Sequence, residues 1–126
     1  MKRSAAHYPG RAPIEAYGKG GFRFAGMSHR GSILVLPGGI HAWRHGDELS
    51  PEDFAMVFAE RAEIDVLLLG TGAGMRRPPQ PVRDAFTAHG VALDFMSTGA
   101  AVRTYNILLA EERKVAAALI AVADAE

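Results

Sequence analysis

Hydrophobic and polar positions change their spacing several times along this chain, and each change marks an element. Ile14 to Tyr17 has the length of a strand; Gly18-Lys19-Gly20-Gly21 interrupts it, and Phe22-Arg23-Phe24 resumes with period two. The glycines permit a turn or a bulge there. Met27 to Arg30 reads as a short strand, and Gly31 turns the chain into Ser32-Ile-Leu-Val-Leu-Pro37. Gly38-Gly39 is a two-residue turn of the hairpin type, with Ile40 to Arg44 returning beside the apolar run. The first third is therefore expected to be an antiparallel β-unit.

The period then lengthens. Ser50 can cap a helix, Pro51 suits its first position, and Asp53 completes an S-x-x-D box. Phe54, Val57, Phe58 and Arg61 follow at i, i+3, i+4 and i+7, and the three apolar members make a stripe for a sheet to cover. Ile64 to Gly70 is a continuous apolar run of strand length, as expected of a strand buried on both faces. A Gly- and Pro-rich loop runs from Gly70 to Pro79. Residues 81–89 read as a second helix, with Val82, Ala85, Phe86 and His89 on one face and Gly90 as its stop. Val91 to Met96 is the next strand. Ser97 or Thr98 caps a third helix, from about Gly99 to Glu112, with Val102, Tyr105 and Leu109 on one face and Leu108 beside them. Val115 to Val122 reads as a final strand; its alanines leave a helical tail as the alternative.

Residues 1–12 are polar with Pro and Gly and are read as a flexible arm, which leaves residues 13–126 as one domain. Helices alternating with apolar strands predict an α/β fold. The expectation is a three-layer domain, with a mixed central β-sheet flanked by helices plus an N-terminal antiparallel β-hairpin unit.

Charge narrows the function classes. Fourteen basic and fourteen acidic residues cancel, so the basic excess typical of a nucleic-acid partner is missing. No run of apolar residues is long enough for a transmembrane segment. Met1-Lys2-Arg3 is positive, but no apolar stretch follows it, so a secretory signal is not expected. The absence of cysteine excludes disulfides, thiolate catalysis and cysteine-ligated zinc or iron–sulfur sites. A cytoplasmic protein is expected, peripheral at the inner membrane only through partners.

If the strands at 64–70 and 91–96 run parallel, their C-terminal loops meet at the edge where open α/β sheets bind ligands. Those loops are Gly70-Thr71-Gly72-Ala73-Gly74 and Ser97-Thr98-Gly99, with Arg76, Arg77 and Arg103 in or just beyond them. Together they could form an anion pocket; equally, the glycines could serve only a tight connection. A helix N-terminus contributes at most about 2 kcal/mol toward an anion, whereas micromolar affinity needs about 8 kcal/mol. Arginines and shape would have to supply the remainder. Gly70-x-Gly72-x-Gly74 is neither a dinucleotide fingerprint, since Met75 follows, nor a P-loop, since no Gly-Lys-Ser/Thr follows. His41, Trp43 and His45 share a face of the predicted strand but lack an evident third metal ligand before Asp47 and Glu48. Asp65 and Asp94 fall inside strand patterns, where solvated carboxylates are the expectation. Arg103-Thr104-Tyr105-Asn106 is the densest polar cluster, with Arg103 and Asn106 on one helix face. It reads either as a hydrogen-bond network that locks the helix to the sheet or as a ligand or partner surface.

Tyr17-Gly-Lys-Gly-Gly-Phe-Arg-Phe, Gly31-Ser-Ile-Leu-Val-Leu-Pro, Gly70-Thr-Gly and Met96-Ser-Thr-Gly-Ala-Ala-Val-Arg-Thr-Tyr-Asn form a recognisable set. In these the chain resembles the small domain-of-unknown-function family that includes mitochondrial complex I assembly factor 3 and the adipogenesis-associated domain protein. The resemblance spans about residues 13 to 122 and is most specific over Thr98 to Asn106. It implies a three-layer α/β fold, no established enzymatic activity and, for mitochondrial members, help in assembling respiratory complex I. It also implies a cysteine before the family's arginine in many members; Val102 stands there. With no evident transit peptide, a bacterial-type member is expected.

The leading expectation is thus a non-catalytic assembly or interaction factor, linked to respiratory complex I biogenesis, with protein partners and without cofactor or metal. The rival is an enzyme or sensor binding an anionic small molecule with Gly70, Thr71, Gly72, Arg76, Thr98, Gly99, Arg103, Tyr105 and Asn106. A structural homo-oligomer paired through exposed β-edges is a third reading.

Overall fold

Residues 8–125 are described by the computed structural model, and their strands form two sheets. β1 (Ile14–Gly18), β2 (Gly21–Phe24) and β3 (Met27–Arg30) make an antiparallel sheet in that order. Its two hairpins turn through residue pairs with positive φ: Lys19 at 54° with Gly20 at 79°, and Ala25 at 50° with Gly26 at 74°. Such turns match the right-handed twist of paired strands. β4 (Ile33–Leu36), β5 (Gly39–Ala42), β6 (Val66–Gly70), β7 (Ala92–Met96) and β8 (Val115–Leu119) form the second sheet, in the order β5-β4-β8-β6-β7. β8, β6 and β7 are parallel, while β4 runs antiparallel to β8 and β5. The sheet is mixed, as the sequence pattern predicts.

Side-chain alternation divides the core into two faces. Ile33, Val35, Leu68, Val115, Ala117 and Leu119 face α3 (Thr98–Ala110) and the three-stranded sheet, whose Ile14, Phe22 and Phe24 are buried against them. Leu34, Leu36, Leu67, Leu69, Ala116 and Ala118 face the opposite layer, which holds α1 (Ala55–Ala59) and α2 (Gln80–His89). Topology explains the split. The step from β6 through α2 to β7 crosses the sheet one way, and the step from β7 through α3 to β8 crosses back past β6. Right-handed crossovers in opposite directions place their helices on opposite faces.

The Ala-rich segment is a strand rather than a helical tail, and it is the middle of the sheet. All of β8 is buried. Alanine is a poor strand former by propensity; here its small side chains let α3 on one side and aromatic rings on the other approach closely. On the latter side Phe86 meets Phe54 and Phe58 edge-on, with ring centroids 5.1 and 4.8 Å apart.

Several boundaries differ from the sequence pattern. Leu36 pairs with Gly39, so the β4–β5 turn is Pro37-Gly38 rather than Gly38-Gly39. The Gly38 N–H donates to the Glu60 carboxylate at 2.8 Å, a long-range tie that fixes this turn. The helix expected from Ser50 is broken into a 3₁₀ turn (Pro51–Phe54), α1 and a second 3₁₀ turn (Arg61–Glu63). Its box forms, with the Ser50 N–H donating to Asp53 Oδ2 at 2.8 Å, and Phe54, Val57 and Phe58 are buried. Glu60, with φ of −108°, ends α1, so Arg61 lies outside it. Gly90 stops α2 at φ 73°, as expected. β6 begins at Val66 and α3 at Thr98.

Of the arm expected over residues 1–12, residues 1–7 lie outside the described residues. Tyr8 pairs with Ile40, exchanging backbone hydrogen bonds of 3.1 and 2.7 Å, and Ala12 is buried. Tyr8 thereby covers part of the β5 edge.

Leu68, in β6, is 1% exposed. Leu68→Ala is expected to lower stability by about 2–5 kcal/mol in a urea unfolding curve. A loss under about 1 kcal/mol would mean that β6 does not hold the sheet together.

Candidate functional site

β6 and β7 end side by side, with Gly70 paired to Met96. The chain leaves β6 toward one face of the sheet and β7 toward the other, which opens the crevice where α/β sheets bind ligands. In this chain the crevice is laced shut. The Thr71 N–H donates to Met96 O at 2.8 Å. Thr71 Oγ1 lies 2.7 Å from Gly74 O and 3.0 Å from Met96 O, sharing its one proton, and accepts the Arg76 N–H at 3.0 Å. Thr98 is fully buried; its hydroxyl donates to Ile120 O at 2.7 Å and accepts the Gly72 N–H at 3.0 Å. The Thr98 N–H closes a third bond, to Gly72 O at 2.8 Å. Gly70 is glycine because α3 begins against it: a Cβ there would stand 2.9 Å from Thr98 Cα. The N–H groups of Thr71, Gly72, Arg76 and Thr98 are thus bonded within the protein.

Gly70, Thr71, Gly72, Thr98 and Gly99 are therefore brought together, as expected of neighbouring parallel strand ends. Ser97, not Thr98, caps α3, its hydroxyl accepting the Ala100 N–H at 3.3 Å. Tyr105 and Asn106 point elsewhere on α3. Asn106 accepts the Ile14 N–H at 2.9 Å and donates to Ile14 O at 3.0 Å, standing in for a neighbouring strand at the edge of β1. The buried Tyr105 hydroxyl donates to Ala12 O at 2.9 Å. Burial pushes the Tyr105 phenol far above its ordinary pKa, opposed in part by the nearby Arg11 charge and the Ala12 bond, so it stays a proton donor. Arg103 is exposed on α3. Arg76 is also exposed and, with Thr71 of the strand-end loop, lines a cavity of about 540 Å3 that includes Arg77, Asp47, Glu48, Pro78 and Ile120.

Tyr17 joins this region from β1. A Cβ on Gly99 would collide with the Tyr17 hydroxyl and would stand 3.5 Å from Arg103 Nη1. No local pattern announces that contact, since Tyr17 lies on β1 and Gly99 on α3. The His41-Trp43-His45 face does not form, because β5 ends at Ala42. Trp43 is buried with its indole N–H donating to Asp53 O at 2.8 Å, and His45 Nε2 lies 3.1 Å from Ser32 Oγ. Among the described residues no three His, Asp or Glu side chains gather to hold a metal. Asp65 and Asp94 are exposed. No described helix is long and apolar enough to cross a membrane.

A mixed five-stranded sheet, helices on both faces and a second small sheet packed beside α3 define an α/β domain whose ligand edge is bonded to itself. The chain belongs to the family described as protein of unknown function (DUF498/DUF598), which matches residues 14–120. It is 39% identical to an uncharacterized protein of Rhodobacter capsulatus, covering 90% of this chain and 87% of that one. It is 35% identical to the NADH dehydrogenase [ubiquinone] 1 alpha subcomplex assembly factor 3 of Danio rerio over 85% of this chain, and the match spans 63% of that longer protein. A crystal structure described as an outer membrane protein from Bartonella henselae superposes with a TM-score of 0.84 at 53% identity, covering 91% of this chain and 98% of that one.

Thr98→Val keeps the shape of the side chain but strands the Gly72 N–H and the Ile120 carbonyl. It is expected to cost about 1–3 kcal/mol in chemical denaturation. A change below about 0.5 kcal/mol would show that the hydroxyl does not hold the crevice closed.

Proposed function

We propose that this chain is a non-catalytic assembly and interaction factor in the biogenesis of respiratory NADH dehydrogenase, complex I. The observation that carries this reading is its 35% identity, over 85% of its length, to a protein named as an assembly factor of that complex. The hydrogen bonding at the sheet edge agrees with it, because the Thr98 hydroxyl and the Thr71, Gly72 and Thr98 amides are bonded within the protein. The surface offered instead is the outer face of α3. Arg103 and Ile107 stand one turn apart there, both exposed, Ile107 by 59%. An exposed large apolar side chain beside a cation suits a protein partner. In this reading Thr98, Gly99, Gly70, Thr71 and Gly72 fix the start of α3, and Tyr105 and Asn106 fix its middle, so that Arg103 is presented on a rigid helix. The protein works in the cytoplasm and reaches the inner membrane through its partners.

Deleting the gene in its own host is expected to lower the level of assembled complex I and its NADH–quinone activity several-fold. Wild type restores both. An Arg103→Ala variant with an unchanged melting curve does not. Unchanged complex I in the deletion strain overturns the respiratory reading.

A further inference from the structure

β7 is one edge of the five-stranded sheet, and its outer side is open. The opposite edge, β5, carries the bridge from Tyr8; among the described residues no strand or bridge lies beyond β7. The pairing with β6 decides which backbone groups of β7 are left over. Met96 O accepts the Thr71 N–H at 2.8 Å, and the Thr98 N–H donates to Gly72 O at 2.8 Å. In a parallel ladder alternate residues turn their groups to the same neighbour. Ala92, Asp94 and Met96 therefore turn to β6, and the N–H and C=O of Leu93 and Phe95 point outward from the sheet.

Side chains along this edge alternate as well. Leu93 and Phe95 are half-buried and pack on the core layer of α1 and α2. Ala92 and Asp94 are exposed on the other side, the one that Leu68, the neighbour of Asp94, turns toward α3. Asp94 forms no ion pair among the described residues. An open edge is a template for another strand, and a charge at its middle selects which strand. A second copy of this chain, paired antiparallel about the middle of β7, would exchange bonds between Leu93 and Phe95 and set Asp94 directly against its counterpart. That is the position of closest side-chain approach, where like charges repel. A register that separates the carboxylates leaves part of a 5-residue strand unpaired. The same geometry favours a strand with a cation at that position.

We propose that the β7 edge binds an extended segment of another protein, antiparallel to β7, in which a lysine or arginine between two apolar residues faces Asp94. The apolar residues exchange backbone bonds with Leu93 and Phe95 and continue the apolar surface of those side chains. The cation pairs with Asp94 on the α3 side. In strand addition of this kind main-chain bonds supply affinity and alternate side chains supply selectivity. This edge is a different surface from the outer face of α3 at Arg103 and Ile107, and binding to it requires no respiratory role.

The test titrates the purified protein with an end-blocked peptide of alternating valine and lysine and follows the backbone amide signals by NMR. One companion peptide carries glutamate in place of lysine; another carries N-methyl groups on its valines. Saturable shifts of the Leu93 and Phe95 amides are expected with the lysine peptide. Both companions should bind about fivefold more weakly or worse, one through charge and the other through lost main-chain donors. Asp94→Asn should weaken the lysine peptide about two- to fivefold. Asp94→Lys should reverse the preference in favour of glutamate. Both variants are expected to keep the wild-type melting curve, since the side chain is exposed. Absence of saturation by the lysine peptide overturns the proposal. Binding indifferent to N-methylation is charge attraction alone and also overturns it, as does an unreversed preference in Asp94→Lys. Shifts at Leu93 and Phe95 that grow with protein concentration in the absence of peptide give the edge to a second copy and overturn it as well.

Discussion

Helix α3 has to be held at its start and in its middle, and the rest of the architecture depends on how that is done. At its start, Thr98 is fully buried and ties the loop after β6 to the exit of β8 through one hydroxyl. Midway, Asn106 takes both backbone groups of Ile14, and Tyr105 takes the carbonyl of Ala12. These bonds join two sheets that share no strand. Without Asn106, the edge of β1 would leave a donor and an acceptor without partners beside an apolar layer, which costs more than a missing surface bond.

The same bonds bear on function. Open α/β sheets commonly leave their strand ends free to receive ligands, and the crevice between β6 and β7 exists here by topology. Thr71, Gly72 and Thr98 spend their amides, and the two threonines their hydroxyls, on bonds within the protein there. What remains available outside is a rigid helix face and charged cavity rims. That division of labour suits the interaction role proposed above.

Much of the fold could be read from the chain because its elements are locally consistent. Period-two alternation in Phe22-Arg23-Phe24, the continuous run Val66–Gly70 and the Gly90 stop each need only near neighbours to be understood. The errors fall where distant groups intervene. Gly38 is tied by Glu60 from twenty-two positions away, and the helix after Ser50 ends at Ala59, just before that Glu60.

By itself the sequence determined the class of fold, the number and type of most elements, and the clustering of Gly70-Thr71-Gly72 with Thr98-Gly99 at one sheet edge. These follow from hydrophobic period, glycine punctuation and the right-handedness of crossovers, all of which act over short stretches of chain. Only the tertiary structure decided that an alanine-rich segment is the central strand, that Tyr105 and Asn106 spend their polar atoms on β1, and that Tyr17 lies against Gly99. The reason is physical: a side chain's hydrogen-bond partner is chosen by which groups burial brings within about 3 Å of it. Residues some ninety positions apart meet only once two layers have packed.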